Sequence, residues 1–458
     1  MALDSIWGND LDFQEVPGKV KVQKISIMPR GATPEISARG VIFSSPAIDL
    51  TDSGWLEISL YEDILDTAVS GTIEIQDVNN IPQLIGIRGG ETIHIVFNTP
   101  GFEEIYYTGT ITKVSGRVFS PPFSQLFSIE FTSSEVISSM VQELRKSYRG
   151  TYAEIVNKIY NEYIMPRGKK CKIENTVGIE NVNITGWTPF ASIRYIATKS
   201  LSSNPRFRTP SFLFFERAGT RPTQKNTTSG FKFCSLESLW KAPPVKVYTN
   251  QPKSLIDSPT TFGRNQSNFT SINWVVEEGT PDLIKNIKRG IFGRTLLQND
   301  LVTRLTSEQG VDTYEEFNKM NDEDLMRDLT QEFPEYTPLQ VKASSVQTHS
   351  EGSEVYVGPH PEVVKVVRNN VMHRLLFNQN VRIGVPGDSE RTIGEVVELA
   401  FRSPESGMDW NNYVLASPPL DKILSGKYLI TAVAHKINSV SGEYETVLEL
   451  SKDSNIKV

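Results

Sequence analysis

One strand pattern occurs twice in this chain, near its start and again at its end, and this doubling limits the possible folds more than any other feature. Gly90-Glu91-Thr92-Ile93-His94-Ile95-Val96-Phe97 aligns with Gly394-Glu395-Val396-Val397-Glu398-Leu399-Ala400-Phe401. The first, second and last residues are identical, and the apolar positions between them match. Ile111-Thr112-Lys113-Val114 then aligns with Ile430-Thr431-Ala432-Val433, and Ile129-Glu130-Phe131-Thr132 with Leu448-Glu449-Leu450-Ser451. Thr112 and Glu130 are 18 residues apart, and so are Thr431 and Glu449. The first gap is not kept: Phe97 to Thr112 is 15 residues, whereas Phe401 to Thr431 is 30. Alternating sequences align easily with one another, but shared Gly-Glu, Ile-Thr and Glu identities at a fixed step do not. Period-2 alternation turns one face of each strand to a core and the other to water or a partner. Two such domains in one subunit change the symmetry that an oligomer of it can present.

A chain of 458 residues is too long for one core and is expected to divide into two to four domains. With 38% hydrophobic and 22% charged residues it reads as soluble and globular. A net charge of −7 gives no chain-wide attraction to nucleic acid or an anionic membrane. The longest apolar runs, such as Ile93 to Phe97, fall far short of the roughly 18 residues of a membrane helix. The segment 1–17 carries Asp4, Asp10, Asp12 and Glu15 without Lys or Arg, unlike a secretory signal, so folding in the cytoplasm is expected. Cys171 and Cys234 alone make no disulfide framework.

From 18 to 133 nearly every segment alternates, with turn signals at Asn79-Asn80-Ile81-Pro82, Gly89-Gly90 and Pro121-Pro122 between segments. About six strands there predict a small antiparallel barrel or sandwich. Residues 134–205 read as a helical or α+β middle domain. Val136, Ile137, Met140, Val141 and Leu144 recur at helical spacing, as do Ile155, Val156, Ile159, Tyr160 and Tyr163, and Thr188-Pro189-Phe190 opens a third helix. In 206–310, Phe212-Leu213-Phe214-Phe215-Glu216 and Phe231-Lys232-Phe233 predict a hairpin, with further strands shared between the middle domain and the second β region. An acidic, mostly helical insertion is expected at 311–365, and 366–458 holds the second copy of the repeat.

Chemistry-bearing constellations are weak. The five histidines share no metal-ligand spacing, and His94 and His435 sit in alternating strands where a solvent- or partner-facing side chain is expected. Cys171 follows Lys169 and Lys170, a setting that could lower a thiol pKa, but no local signature supplies a histidine partner. Asn321-Asp322-Glu323-Asp324 lacks the glycine and terminal glutamate of a calcium loop. Phosphate-binding loops and serine-nucleophile motifs are missing from the sequence. No catalytic, cofactor or metal residue is therefore assigned, and the polar residues read as architecture.

Several segments resemble the baseplate hub protein of contractile-tailed bacteriophages of the T-even type, within the tail-tube-fold superfamily. They are Ser59-Leu60-Tyr61-Glu62-Asp63-Ile64, the Gly-Gly-Glu strand at 89–91, the helix after Thr188-Pro189-Phe190, and the 212–216 and 230–233 segments. The closing Leu424-Ser425-Gly426-Lys427-Tyr428-Leu429-Ile430-Thr431, followed by Glu449-Leu450-Ser451-Lys452-Asp453-Ser454, is the most specific. The resemblance covers about 20–454; the insertion at 311–365 and the first 17 residues depart from it. It implies a mainly β fold with α+β parts, two tail-tube-like antiparallel β-barrels joined by a smaller helical or α+β domain. It also implies a homotrimer whose pseudo-sixfold ring adapts a hexameric tail tube to a trimeric central spike, around a channel for the genome. Implied partners are the tube protein, the spike protein and neighbouring wedge or tape-measure proteins in the virion baseplate, with assembly in the host cytoplasm. No sequence-specific nucleic-acid binding and no membrane span are implied. The loop from Tyr61 to Val69, with Tyr61, Glu62, Asp63 and Ile64, is the candidate contact with a neighbour; an ordinary exposed hairpin end is the alternative.

Two other functions compete. A cell-wall hydrolase embedded in the inserted segments would need paired carboxylates or a Cys/His pair in a module of its own. A receptor-binding tail protein would sit at the tail periphery and present exposed aromatics. The spike of type VI secretion has a related plan but continues into a β-helix, whereas this sequence ends at Val458, so a separate spike chain is expected.

Overall fold

Alternation in the sequence becomes sheet at both ends of the chain. The computed structural model describes residues 17–30, 47–51, 54–99, 102–120, 123–164, 169–204, 211–219, 230–250, 269–279, 379–402, 420–421 and 423–452. It also describes short strands at 34–37, 40–43, 293–300, 306–312, 339–345, 349–351, 354–356, 408–409 and 414–415, and single residues at 284, 288 and 369. Thirteen strands join in one sheet.

The N-terminal half contributes six principal strands: Lys21–Met28, Trp55–Asp63, Ser70–Asp77, Thr92–Asn98, Ile105–Ser120 and Ser124–Thr132. Numbered along the chain, they lie side by side as second, third, sixth, fifth, fourth, first, with Ile48–Asp49 beside the first. The C-terminal half contributes Lys246–Thr249, Trp274–Gly279, Gln379–Pro386, Val396–Ala400, Gly426–Asn438 and Glu443–Lys452. These six lie in the same order. Only one pairing changes sense: the first strand runs antiparallel to the fourth in the N-terminal half and parallel to it in the C-terminal half.

The repeated residues occupy the fourth, fifth and sixth strands of both halves, and the same hydrogen bonds recur. Gly90 N–H donates to the Ile111 carbonyl and Gly394 N–H to that of Ile430, both at 2.8 Å. Ile111 N–H donates to the Glu91 carbonyl and Ile430 N–H to that of Glu395, again at 2.8 Å. Thr112 and Thr431 sit at register shifts of the fifth strand. Their hydroxyls donate to the carbonyls of Glu130 and Glu449, each at 3.1 Å. The bulge explains why a threonine recurs 18 residues before a glutamate. Gly90 and Gly394 have φ of +98° and +70°, where a Cβ is strained, so the turn itself accounts for the recurring glycine.

Three apolar clusters form the interior. One fills the N-terminal half, including Ile25, Ile58, Ile73, Ile95, Tyr107 and Ile129. A second fills the C-terminal half, including Ile383, Val397, Tyr428, Ile430 and Leu448. The third lies in the α+β middle part, where the helices Tyr152–Tyr163 and Pro189–Ala197 pack with the Phe212–Arg217 and Gly230–Ser235 hairpin. Thr151 and Glu154 form a capping box on the first of these helices, and Thr188 caps the second. The hairpin is apolar on both faces because both are covered. Phe212, Phe214, Phe231 and Phe233 enter the middle cluster, while Leu213 and Phe215 enter the C-terminal one.

Some local expectations change. The helical spacing from Val136 to Leu144 gives only the short helix Ser134–Met140; Met140 and Val141 are exposed, and the buried Leu144 instead starts the strand Leu144–Gly150. Val136 to Leu144 has helical period, but Leu144 is drawn into pairing with Glu180–Trp187. Within 311–365 the described residues are strands, among them Leu339–Ser345 paired with Gly293–Asp300, where a mostly helical insertion is expected; the rest of that segment, including 313–338, lies outside the described residues.

Candidate assembly interface

The two halves are fused through a ladder. The outer side of Gly426–Asn438 pairs antiparallel with Trp55–Asp63, from Ala432 opposite Asp63 to Asn438 opposite Glu57. Each core also receives residues from the other half: Ile64 enters the C-terminal cluster, and Ile437 and Tyr444 enter the N-terminal one. A second tie joins two turns. The Ser389 hydroxyl donates to the Glu103 carbonyl at 2.8 Å, and the Thr99 hydroxyl donates to the Gly387 carbonyl at 3.0 Å while accepting from Ser389 N–H at 3.1 Å.

The sequence candidates Tyr61, Glu62, Asp63 and Ile64 fall at this junction. Glu62 and Ile64 are buried inside the chain. Glu62 Oε2 accepts from the Thr392 hydroxyl at 2.6 Å, and Ile64 N–H donates to the Thr431 carbonyl at 2.9 Å. Tyr61 and Asp63 present their side chains outward. The ladder therefore uses their backbone within one chain and leaves two of the four side chains accessible.

Both strand histidines are buried, contrary to the expectation that they face solvent or a partner. His94 Nδ1 lies 2.8 Å from the Thr108 hydroxyl, and burial, with Lys24 nearby, pushes its pKa down to about 4. His435 Nδ1 lies 2.8 Å from the Tyr444 hydroxyl, and its Nε2 is 3.8 Å from Glu62 Oε1. Burial also raises both thiols, Cys234 to about 12, so the lysines before Cys171 do not produce a reactive thiolate.

Two buried charge clusters went unseen in the sequence, because Lys246 is far in it from the 388–395 segment and Lys169 is far from Glu216. Lys246 Nζ lies 2.7 Å from Asp388 Oδ2, which also accepts from Arg391 Nε at 3.1 Å; Arg391 Nη1 is 3.2 Å from Glu395. Burial by itself raises the Asp388 carboxyl, but Arg391 and Lys246 outweigh it and hold the pKa below the ordinary value. Lys169 pairs with the fully buried Glu216, whose other oxygen accepts from Val69 N–H at 3.0 Å, fastening the middle part to the N-terminal half. Among the described residues, no three His, Cys, Asp or Glu are placed to hold a metal ion, and no helix is long and apolar enough to cross a membrane.

Among the edges of the described strands, two occupy equivalent places to the two sides of this junction. Trp274–Gly279 ends the sheet, with Gln379–Pro386 on its inner side only. Ile105–Ser120 pairs with Thr92–Asn98 through residue 110, so 113–120 has only Ser124–Thr132 beside it. Both edges carry apolar side chains in solvent: Val118 and Phe119 are 58% and 72% exposed, and Val275 and Val276 are 40% and 50%.

No family model and no curated protein matches the sequence. Solved structures do match its fold. A tail protein from Neisseria meningitidis MC58 superposes with a TM-score of 0.52 at 11% identity, over 94% of this chain and 96% of that one. The 43 kDa tail protein of prophage MuSo2 from Shewanella oneidensis gives 0.51 at 10% identity, over 94% and 99%. The fold is that of these tail proteins. It extends through both halves and the middle part, since the match covers nearly the full length of each tail protein as well. The mainly β, tail-protein-like fold expected from the sequence thus agrees with this likeness.

Proposed function

We propose that this chain is a structural protein of a contractile tail, the baseplate hub, and that three copies form a ring of six alike β units. The observation that carries this reading is the recurrence of one six-strand order in both halves, joined by the ladder between Trp55–Asp63 and Gly426–Asn438. Each half then acts as one tail-tube-like barrel. Three chains offer six such units to a sixfold tail tube on one face and a threefold platform to a central spike on the other, around a channel. Permanent interfaces of that kind bury on the order of 2,000–5,000 Å². The likeness to two tail proteins supports the reading. Neighbouring wedge or tape-measure proteins would contact the outside of the ring, and the outward side chains of Tyr61 and Asp63 are candidates for such a contact. Catalysis is not part of this function.

Light scattering on the purified protein tests the assembly. The expected mass is three times the 51.3 kDa of one chain, and end-on particle images should show a ring with six similar lobes. A stable monomer at micromolar concentration sinks the proposal.

A further inference from the structure

The repeat relates the junction inside the chain to two free edges outside it. Within the chain, the fifth strand of the C-terminal half, Gly426–Asn438, takes the second strand of the N-terminal half, Trp55–Asp63, on its outer side. The repeat-equivalents are the fifth strand of the N-terminal half, Ile105–Ser120, and the second strand of the C-terminal half, Trp274–Gly279. Among the described strands, neither 113–120 nor 274–279 has a strand paired to it on the corresponding side.

We infer that Trp274–Gly279 of one copy pairs antiparallel with 113–120 of the next, repeating between chains the junction already made within one. The pairing register follows from the ladders. Glu130 and Glu449 are equivalent, so Leu126 matches Glu445, and Val118, opposite Leu126, matches Lys436, opposite Glu445. Ser59 lies opposite Thr72, which lies opposite Glu130; Val276 lies opposite Arg382, which lies opposite Glu449. Ser59 and Val276 are therefore equivalent. Because Lys436 sits opposite Ser59 within the chain, Val118 of one copy sits opposite Val276 of the next, and Phe119 opposite Val275.

Chemistry on the two edges agrees with this register. Directly opposed positions share a face of the sheet, so the exposed pairs Val118–Val276 and Phe119–Val275 would cover each other. One step on, Glu277 meets the bulge that contains Arg117, an acid against a base. Where the chain makes the junction internally, the positions of Val118 and Val276 are taken by Lys436 and Ser59. Exposed apolar side chains on an edge strand invite pairing and aggregation unless a partner covers them. Since the two edges differ, the contact is head to tail, and repeating it produces either a closed ring or a filament.

The inference rests on the ring reading above, and the experiment separates the two. Val118→Cys and Val276→Cys are introduced together into the full chain, the assembled protein is treated with an added thiol oxidant, and products are sized under denaturing conditions. Oxidation of one thiol from each edge to a disulfide should link neighbouring chains, with covalent products up to three chains and none larger, while each single variant gives no product beyond two chains. In parallel, Val276→Lys, a change at a side chain already exposed in the folded chain, should keep the far-UV circular dichroism of the chain unchanged and weaken association by roughly tenfold or more. An unmodified protein that is trimeric, yet neither cross-links through this pair nor dissociates on Val276→Lys, overturns the edge pairing and leaves the ring standing. Covalent ladders running past three chains keep the pairing and overturn the closed ring. A monomeric unmodified protein removes both.

Discussion

The two six-strand halves share their strand order and their turn chemistry but differ in what is inserted and in how they begin. The second and third strands are joined by the short loop between Asp63 and Ser70 in the N-terminal half. In the C-terminal half the same connection spans from Gly279 to Gln379. The first strand, too, runs in opposite senses against the fourth. What both keep is the Gly-Glu turn and the threonine bulge that tie the fourth, fifth and sixth strands. Loops tolerate long insertions at small entropic cost, whereas a positive-φ glycine and a bulge set the register of a whole sheet. The durable part of the repeat is therefore the part that fixes register.

Four measurements bear on this comparison, taken from the largest expected effect. Asp388→Ala should destabilise the C-terminal half by about 3–5 kcal/mol, since it strands Lys246 in a mostly buried setting and leaves Arg391 with its glutamate partners alone; chemical denaturation reads it out. Among the described residues the N-terminal strands hold no such ion-pair cluster, so an early, separate unfolding step should appear if the halves are independent. A single transition would show instead that the junction makes them one cooperative unit.

Ile64→Ala tests that coupling directly, because this residue belongs to the N-terminal half by sequence and to the other core by packing. A loss of about 2–5 kcal/mol is expected, with the C-terminal half affected first. Hydrogen exchange confined to the strands 55–77 would contradict it.

Acid should act on the N-terminal half through His94, which has no histidine at the equivalent position, Glu398. Its folded pKa of about 4 lies below the ordinary value of 6.5, so the unfolded chain takes up the proton first as pH falls. Stability from this group is complete above pH 6.5 and drains away toward pH 4, a loss of roughly 3 kcal/mol. Replacing His94 with Gln should flatten the pH dependence in that window; an unchanged slope would assign it to other groups.

The smallest effect is the most diagnostic of equivalence. Thr112→Val and Thr431→Val each remove one side-chain hydrogen bond to the paired strand, and each should cost about 1 kcal/mol. Strongly unequal losses would mean that the two bulges, although superposable in their bonds, carry different loads.

Much of the architecture could be read before any coordinates. Alternation gave the strands of the N-terminal half, Thr188-Pro189 marked a helix start, and the recurring Gly-Glu and Ile-Thr placed three strands of each half in register. Trp274–Gly279, within the 206–310 stretch where strands shared with the second β region are expected, takes its place by pairing with Gln379–Pro386, about a hundred residues away in sequence. The helix misread at Leu144 and the histidines read as exposed share one cause. Period and polarity describe a residue's own element, while burial depends on what covers it.

By itself the sequence determined where strands and turns form and that one hairpin unit occurs twice, because alternation, positive-φ glycines and bulges are local properties of a few adjacent residues. Only the tertiary structure decided which edges meet. The pairing of Gly426–Asn438 with Trp55–Asp63, the burial of Glu62 against Thr392, and the salt bridge of Lys246 with Asp388 all join residues more than a hundred positions apart. A backbone edge has the same donors and acceptors whatever its side chains, so its neighbour is set by the packing of the whole sheet rather than by its own residues.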